Sequence, residues 1–285
     1  MCSLAVGGRN ITRNPDLMCA GNWYDPAWKR IDRIAFKEEI ESGSFIEWKR
    51  IYFGKEQKMN RELQVIYEDD SVLVVYKPAG IATQTGRVGQ KDMESMLRNY
   101  LAAKGESPYI GVVHRLDQPV EGVMVFAKNP QAAAALSAQV QSRSIGKNYY
   151  AVTEQIPEST EGTLTDYLLF QRKKNMSIVT GAENKDAKKA ELSYVMLAQT
   201  SCHALLDVGL KTGRHHQIRV QMAHMGCPLI GDGKYGHTAN GRTTDLALCS
   251  YRIAFDHPVS GRRMEFQIVP KGKSFEEFRE FWRNS

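Results

Sequence analysis

Two short apolar runs, Val112-Val113 and Val123-Met-Val-Phe126, enclose the polar stretch His114-Arg-Leu-Asp-Gln-Pro-Val-Glu-Gly122. Such runs, bounded by turn-forming residues, read as strands buried in a sheet, which leaves few folds open. The ionisable side chains of His114, Arg115 and Asp117 therefore stand where buried backbone ends. An acid at such a place loses hydration, a cost that only a nearby cation or hydrogen bonds can offset. A carboxylate kept ionised in a cleft suits nucleophilic or base chemistry. The simpler alternative is an aspartate that caps a turn or pairs with an arginine for structure alone.

The flanking sequence extends the pattern. Val65-Ile-Tyr67, an acidic turn at 68–70 and Val72-Leu-Val-Val-Tyr76 predict a β-hairpin, ended by Lys77-Pro-Ala-Gly80. Asp92 can cap a helix running to about Lys104, with Gly105 as its stop. Strands are expected near 110–113 and 122–128. Asn129-Pro130 is a helix start, and the alanine-rich run to about Gln141 is that helix. Lys147 to Thr153 reads as a strand, residues 154–191 as further strands with a polar loop, and 192–198 and 203–209 as two more strands. Residues 215–225 read as a helix stopped by Gly226 and Pro228. Strands are expected at 247–255 and 263–269, then a last helix with a capping box of Ser274 and Glu277, packing Phe275, Phe278, Phe281 and Trp282. The sum is an α+β fold: a mixed, mostly antiparallel β-sheet with flanking helices.

Residues 1–58 differ from the rest, with scattered apolar residues and Trp23, Trp28 and Trp48 among charges of both signs. The change divides the chain into a leader or accessory segment, 1–58, and one domain, 59–285. The leader is either a stretch upstream of a true start at Met59 or a segment that docks through its tryptophans.

The chain of 285 residues is 42% hydrophobic and 25% charged, ordinary for a globular protein. No apolar run approaches the ~18 residues of a membrane span, and no signal-peptide core is present. The five cysteines are odd in number and lack metal-knuckle spacing, which suggests reduced thiols and a cytoplasmic protein. A net charge of +6 permits a polyanionic partner such as nucleic acid.

A second constellation, Lys211-Thr-Gly-Arg-His-His-Gln-Ile-Arg219, joins a loop to a helix N-terminus, where backbone N–H groups favour phosphate. Arg219 lies between Ile218 and Val220, as an arginine turned inward to meet a buried acid would. The histidines show no ligand spacing, so no metal is expected. No phosphate-binding glycine loop and no nucleophile elbow occur, so no cofactor is expected. A glycosidase would need a second carboxylate, for which Glu121 is the nearest candidate.

These residues form a recognisable set. Gly111-Val-Val-His-Arg-Leu-Asp117 with Gly122-Val-Met-Val-Phe-Ala-Lys128 resembles the signature of the RluA-type RNA pseudouridine synthases. Val74-Val-Tyr-Lys-Pro-Ala-Gly80, Lys147-Asn-Tyr-Tyr-Ala-Val152 and Thr212-Gly-Arg-His-His-Gln-Ile-Arg-Val220 agree in order and spacing, as do Pro228-Leu-Ile-Gly-Asp232 and Lys234-Tyr-Gly236. The likeness covers about residues 63–270 and implies the pseudouridine synthase catalytic fold. It also implies an isomerase that cleaves the N1–C1′ bond of a uridine in ribosomal or transfer RNA, turns the base and rejoins C5 to C1′, without metal or cofactor. By the same likeness Asp117 is the catalytic aspartate and attacks C1′ or deprotonates C2′. Tyr149 stacks on the target base and assists proton removal at C5, and Arg219 pairs with Asp117. Arg115 fills the space of the extruded nucleotide, and His114, Lys147, Arg214, His216 and Gln217 face the RNA. A monomer is expected.

Two departures stand out. Val120-Glu121 replaces the Thr-Ser pair common before the glycine of the catalytic loop, and no RNA-binding S4 module is recognisable in residues 1–62. Two other readings compete with the isomerase. One is a catalytically silent RNA-binding or RNA-folding protein on the same scaffold. The other is a hydrolase of nucleosides or glycosidic bonds, which requires an acid facing Asp117 across a cleft.

Overall fold

The computed structural model describes residues 63–86, 89–236 and 245–283. The leader 1–58 and Met59 lie outside the described residues. Among the described residues ten strands form one sheet. In chain order they are β1 Gln64–Glu68, β2 Val72–Lys77, β3 Glu121–Ala127, β4 Gly146–Thr153, β5 Glu161–Gln171, β6 Met176–Thr180, β7 Lys188–Gln199, β8 Ala204–Leu210, β9 Leu248–Asp256 and β10 Arg263–Gln267. Their spatial order is β1-β2-β3-β9-β4-β8-β7-β5-β6, with β10 added to β9. Every pairing is antiparallel except β3 with β9, which meet in parallel through Glu121–Cys249 and Gly122–Ser250. The sheet is thus two antiparallel halves joined by a short parallel seam, and the His114–Gly122 stretch leads straight into that seam.

Gly122 explains how the seam can be so tight. Its φ is +147°, and an added Cβ would lie 2.5 Å from the Ser250 carbonyl oxygen and 2.7 Å from its nitrogen. Only glycine allows both that backbone angle and that approach.

The apolar runs read as predicted. β2 and β3 are buried along their whole length. Leu73, Val75, Met124 and Phe126 face one helix, α1 (Met93–Ala103), through Met93, Leu97 and Leu101. Val72, Val74, Val123 and Val125 face a second, α2 (Pro130–Ser142), through Ala132 and Leu136. Strands covered on both faces need no polar alternation, which is why the runs are continuous. Asp92 caps α1 by a reciprocal bond pair with Ser95, and Asn129 caps α2 through the Ala132 amide, with Pro130 in the first turn. The third helix, α3 (Gln217–His224), packs against β5 and β6.

Three expectations need correction. Residues 110–113 form no strand; a single bridge, Gly111 to Ala127, is made before the chain turns away. The 215–225 helix begins only at Gln217, because His216 adopts a left-handed conformation at φ 53°. The Ser274/Glu277 capping box does not form. Ser274 bonds the Asp245 carbonyl, Glu277 takes His203 Nδ1 at 2.7 Å, and Lys273–Phe278 winds as a 3-10 turn before α4 (Arg279–Arg283). Phe275 and Phe278 are nonetheless buried, with Phe281 and Trp282 packed beside them.

Candidate active site

The turn that ends β2 holds the Asp117 loop in place. Lys77 is fully buried, and its ammonium donates to the carbonyls of Pro78 (3.0 Å), Gln118 (3.2 Å) and Val120 (2.6 Å). Three acceptors match the three protons of a charged lysine. Burial pushes Lys77 down to about 7, and the charges of Asp117 and Glu121 pull it back up. The Gly80 amide donates to the Gln118 carbonyl at 2.8 Å. The Thr83 hydroxyl donates to the Leu116 carbonyl at 3.0 Å and accepts from the Leu116 amide at 3.1 Å. Asp117 is thus braced on both sides in sequence while its own side chain stays half-buried.

It opens into a cavity of about 550 Å³. The size suits a small organic ligand. Its walls come from the Asp117 loop, the end of α2, β4 and the 210–219 segment, and Asp117 is the one carboxylate among the described residues that line it. Tyr149, on β4, is buried in the wall. Burial pushes its phenol up, the Ser250 hydroxyl pulls it down, and the Asp117 charge raises it further. A phenolate is therefore disfavoured there, and Tyr149 offers a neutral ring. Arg115 is exposed at the rim. Lys147 lines the wall without an ion pair among the described residues, and burial lowers it to about 8. Arg214 lies at the rim with its Nε on the Lys189 carbonyl at 3.0 Å.

Arg219 comes to Asp117 as the sequence suggested, but loosely. Its Nη1 is 3.9 Å from Asp117 Oδ2, whereas Nε and Nη2 grip Asp232 at 2.7 and 2.6 Å. Asp232 also accepts from the Lys234 and Tyr235 amides, and the guanidinium lies 5.2 Å from the centre of the Tyr235 ring. The fork is therefore fixed by Asp232 and presents its remaining edge to Asp117. Burial raises Asp117, against the lowering pull of Arg219, His215, Lys234 and Lys77. The cation limits the rise without cancelling it.

Three residues expected on the RNA face are buried, and all three lie in the wall of the cavity. His114 is buried, and its Nε2 accepts the Val125 amide at 3.2 Å. Gln217 is buried and braces the loop before it, accepting from Thr212 Oγ1 (2.8 Å) and the Arg214 amide (2.9 Å). His216 is buried with Nδ1 at 2.9 Å from the Tyr235 hydroxyl and Nε2 at 3.6 Å from Asp117 Oδ2. Burial and the Arg219 charge hold it down to about 3, so it is a neutral neighbour of the acid. His114 and Gln217 spend polar atoms on backbone groups, a use their one-dimensional spacing does not show, whereas His216 meets side chains. Lys77 and Asp232 brace the Asp117 loop and Arg219, and residue-by-residue reading passed over both. Each stands in a quoted motif, the Lys-Pro turn and the Gly-Asp loop, and that was the available signal.

Glu121 does not face Asp117. It is buried away from the cavity and accepts from the Tyr76 hydroxyl and from the amides of Lys271 (3.1 Å) and Gly272 (2.9 Å). The two-carboxylate arrangement of a hydrolase is missing among the described residues of the cavity.

The profile of the family described as RNA pseudouridylate synthase matches residues 71–224. The chain is 35% identical over 226 residues to the ribosomal large subunit pseudouridine synthase D of Pseudomonas aeruginosa, covering 72% of this chain and 68% of that one. The chain belongs to the RNA pseudouridylate synthase family.

The family's enzyme of the same name from Xanthomonas campestris pv. campestris is 36% identical over 216 residues, covering 70% of this chain and 63% of its own. Roughly two thirds of each of these relatives is thus spanned. The solved structure of human RNA pseudouridylate synthase domain containing 4 shares the fold, with a TM-score of 0.62 at 21% identity over 73% of this chain and 89% of that one. The fold is the pseudouridine synthase fold read from the motifs, and the chain is an RNA pseudouridine synthase by family. No helix among the described residues is long and apolar enough to cross a membrane.

Proposed function

We propose that this chain, acting as a monomer in the cytoplasm, isomerises uridine in large-subunit ribosomal RNA with Asp117 as its catalytic residue and residues 59–285 as the catalytic unit. The observation that carries the reading is the one carboxylate among the described residues of the cavity, set against an arginine that is itself locked by a second acid. The names of the relatives supply the RNA class.

The chemistry follows from the geometry. A uridine within a helix cannot reach a half-buried carboxylate, so the nucleotide flips out, at a cost of a few kcal/mol of stacking. Arg115, exposed at the rim, enters the vacated space. Tyr149 gives the base an apolar face to turn against. Ionised Asp117 either attacks C1′ or takes the proton at C2′; either way the N1–C1′ bond breaks while the base stays enclosed. The base turns, C5 bonds to C1′, the C5 proton leaves and N1 gains one. Arg219 keeps the acid ionised at the start of the cycle. Lys147 and Arg214 offer positive charge to the phosphates beside the flipped nucleotide.

The test is release of tritium from C5 of uridine. Ribosomal and transfer RNA labelled at that position are incubated separately with wild type and Asp117→Ala. Release from ribosomal RNA by wild type alone supports the reading. Free uracil in the products would favour the hydrolase, and no release from either RNA by folded protein would favour a silent RNA-binding protein.

A further inference from the structure

Phe170 is an unusual surface residue. Its side chain is 44% exposed on β5, among the largest apolar groups left open on the described surface. One face of β5 carries Asp166, Leu168 and Phe170 in alternation. Asp166 bonds Gln221 (2.7 Å) and His224 (3.0 Å) of α3, and Leu168 packs on Val220. Phe170 then passes beyond the start of α3, and its ring centre lies 4.3 Å from that of His215. His215 stacks in turn on His216 at 3.8 Å, and His216 touches Asp117. Three aromatic rings thus run from open solvent to the catalytic acid, and His215 and His216 both line the cavity.

The hairpin that carries Phe170 is tied to this rim. Ser177, opposite Phe170 on β6, donates its hydroxyl to the His215 carbonyl (2.7 Å) and its amide to the Tyr235 hydroxyl (2.8 Å). Lys234 reaches the Asn175 carbonyl at 2.6 Å. At the hairpin's tip Arg172, Lys173 and Lys174 form an exposed 3-10 turn with no ion pair among the described residues. An exposed aromatic ring beside unpaired cations, at the mouth of a nucleotide-sized cavity, matches the surfaces that bind unstacked nucleic-acid bases.

We infer that Phe170 is a stacking platform for an RNA base next to the flipped uridine, with Arg172, Lys173 and Lys174 holding the phosphates that follow. The inference rests on the uridine isomerase reading for the place of the flipped nucleotide. Extrusion leaves the neighbouring bases without a stacking partner. Phe170 offers one such base a ring in continuity with His215, so the strand is held open beside the cavity. A leucine in its place would still cover His215 but would give the base no π-face.

The test is equilibrium binding of fluorescein-labelled single-stranded RNA dodecamers, read by anisotropy. One carries a single uridine flanked by adenines, and the other has abasic nucleotides at the two flanking positions. Wild type is expected to prefer the adenine-flanked RNA. Phe170→Ala and Phe170→Leu should weaken that RNA by roughly tenfold, the scale of one base–aromatic stack, and leave the abasic RNA within about twofold. Phe170→Tyr should bind as wild type does. Equal wild-type affinity for the two RNAs, no wild-type binding, equal loss on both RNAs in Phe170→Ala, or wild-type behaviour of Phe170→Leu would each overturn the inference. Binding is read without turnover, so a failure of tritium release would count against the isomerase reading alone.

Discussion

Asp117 works under an electrostatic conflict. Burial favours its neutral form and the surrounding cations favour its charged form, with burial the larger of the two. A native value above the ordinary 3.8 means that the unfolded state releases its proton first, so this group's contribution to stability falls as pH rises through that interval. Asp117→Asn is therefore expected to abolish tritium release yet melt higher than wild type at pH 7, and the gain should vanish as the pH is lowered to the ordinary carboxylate range. Thermal melts of both proteins over that span would show it. Asp232 stands in the opposite position, since the Arg219 fork and two amides hold it below its usual range despite burial. Asp232→Asn leaves Arg219 buried without its ion pair, which is expected to cost about 3–5 kcal/mol in denaturant unfolding. Lys147 gives a third pH signal. With burial lowering it to about 8, it sheds its charge just above neutrality unless phosphate is bound. RNA affinity should be flat below pH 7 and fall above pH 8, and Lys147→Gln should flatten that limb in the same titration.

At the scale of elements, the site depends on one junction. β3 and β9 pair over two residues of each strand, and the Asp117 loop feeds into that pairing under the hold of Lys77. Lys77→Met would keep the stem's volume and remove the donors, leaving the Val120 carbonyl unpaired in the core. Unfolding should become easier by about 2–4 kcal/mol, with turnover falling alongside. A melt and the tritium assay check both halves. The hairpin, α1, α2 and the central strands were legible because each had a local cause: a turn, a cap, or an apolar run covered on both faces. The segment 110–113 and the Ser274 cap were not. Val112-Val113 has strand propensity, but Gly111 is its single bridged residue, and Ser274 found a distant carbonyl instead of its own helix.

The whole molecule carries a net charge of +6, and much of that surplus gathers near the cavity. Arg115, Arg143, Lys147, Lys211 and Arg214 line it, with Arg172, Lys173 and Lys174 on the adjacent hairpin. RNA binding should weaken linearly in a plot of log affinity against log salt. Replacing Arg172, Lys173 and Lys174 together by alanine is expected to reduce the magnitude of that slope by about 2, at roughly 0.7 per phosphate contact on a single strand. Anisotropy titrations at several salt concentrations would measure it. A slope equal to that of wild type would mean that the hairpin tip stands clear of the RNA.

The sequence by itself determined the α+β class, the hairpin and capped helices, the seam at Asp117, and the nearness of Arg219 to that acid. These follow from contacts close in sequence or from motifs whose spacing encodes a shape. Which way each polar side chain faces was decided by tertiary structure. His114, His216 and Gln217 read as a string of polar groups, and in the fold they are buried in the cavity wall, where amides, carbonyls and hydroxyls take up polar atoms of each while His114 Nδ1 has no partner among the described residues. Glu121 could have completed a carboxylate pair, and the amides of Lys271 and Gly272, 150 and 151 residues away, draw it elsewhere. Asp232 captures the closest bonds of Arg219, and Phe170 is left open to solvent beside His215 of the cavity wall. Desolvation makes an unpaired buried polar group costly, so most find a partner in space, and only the folded chain fixes which partner that is.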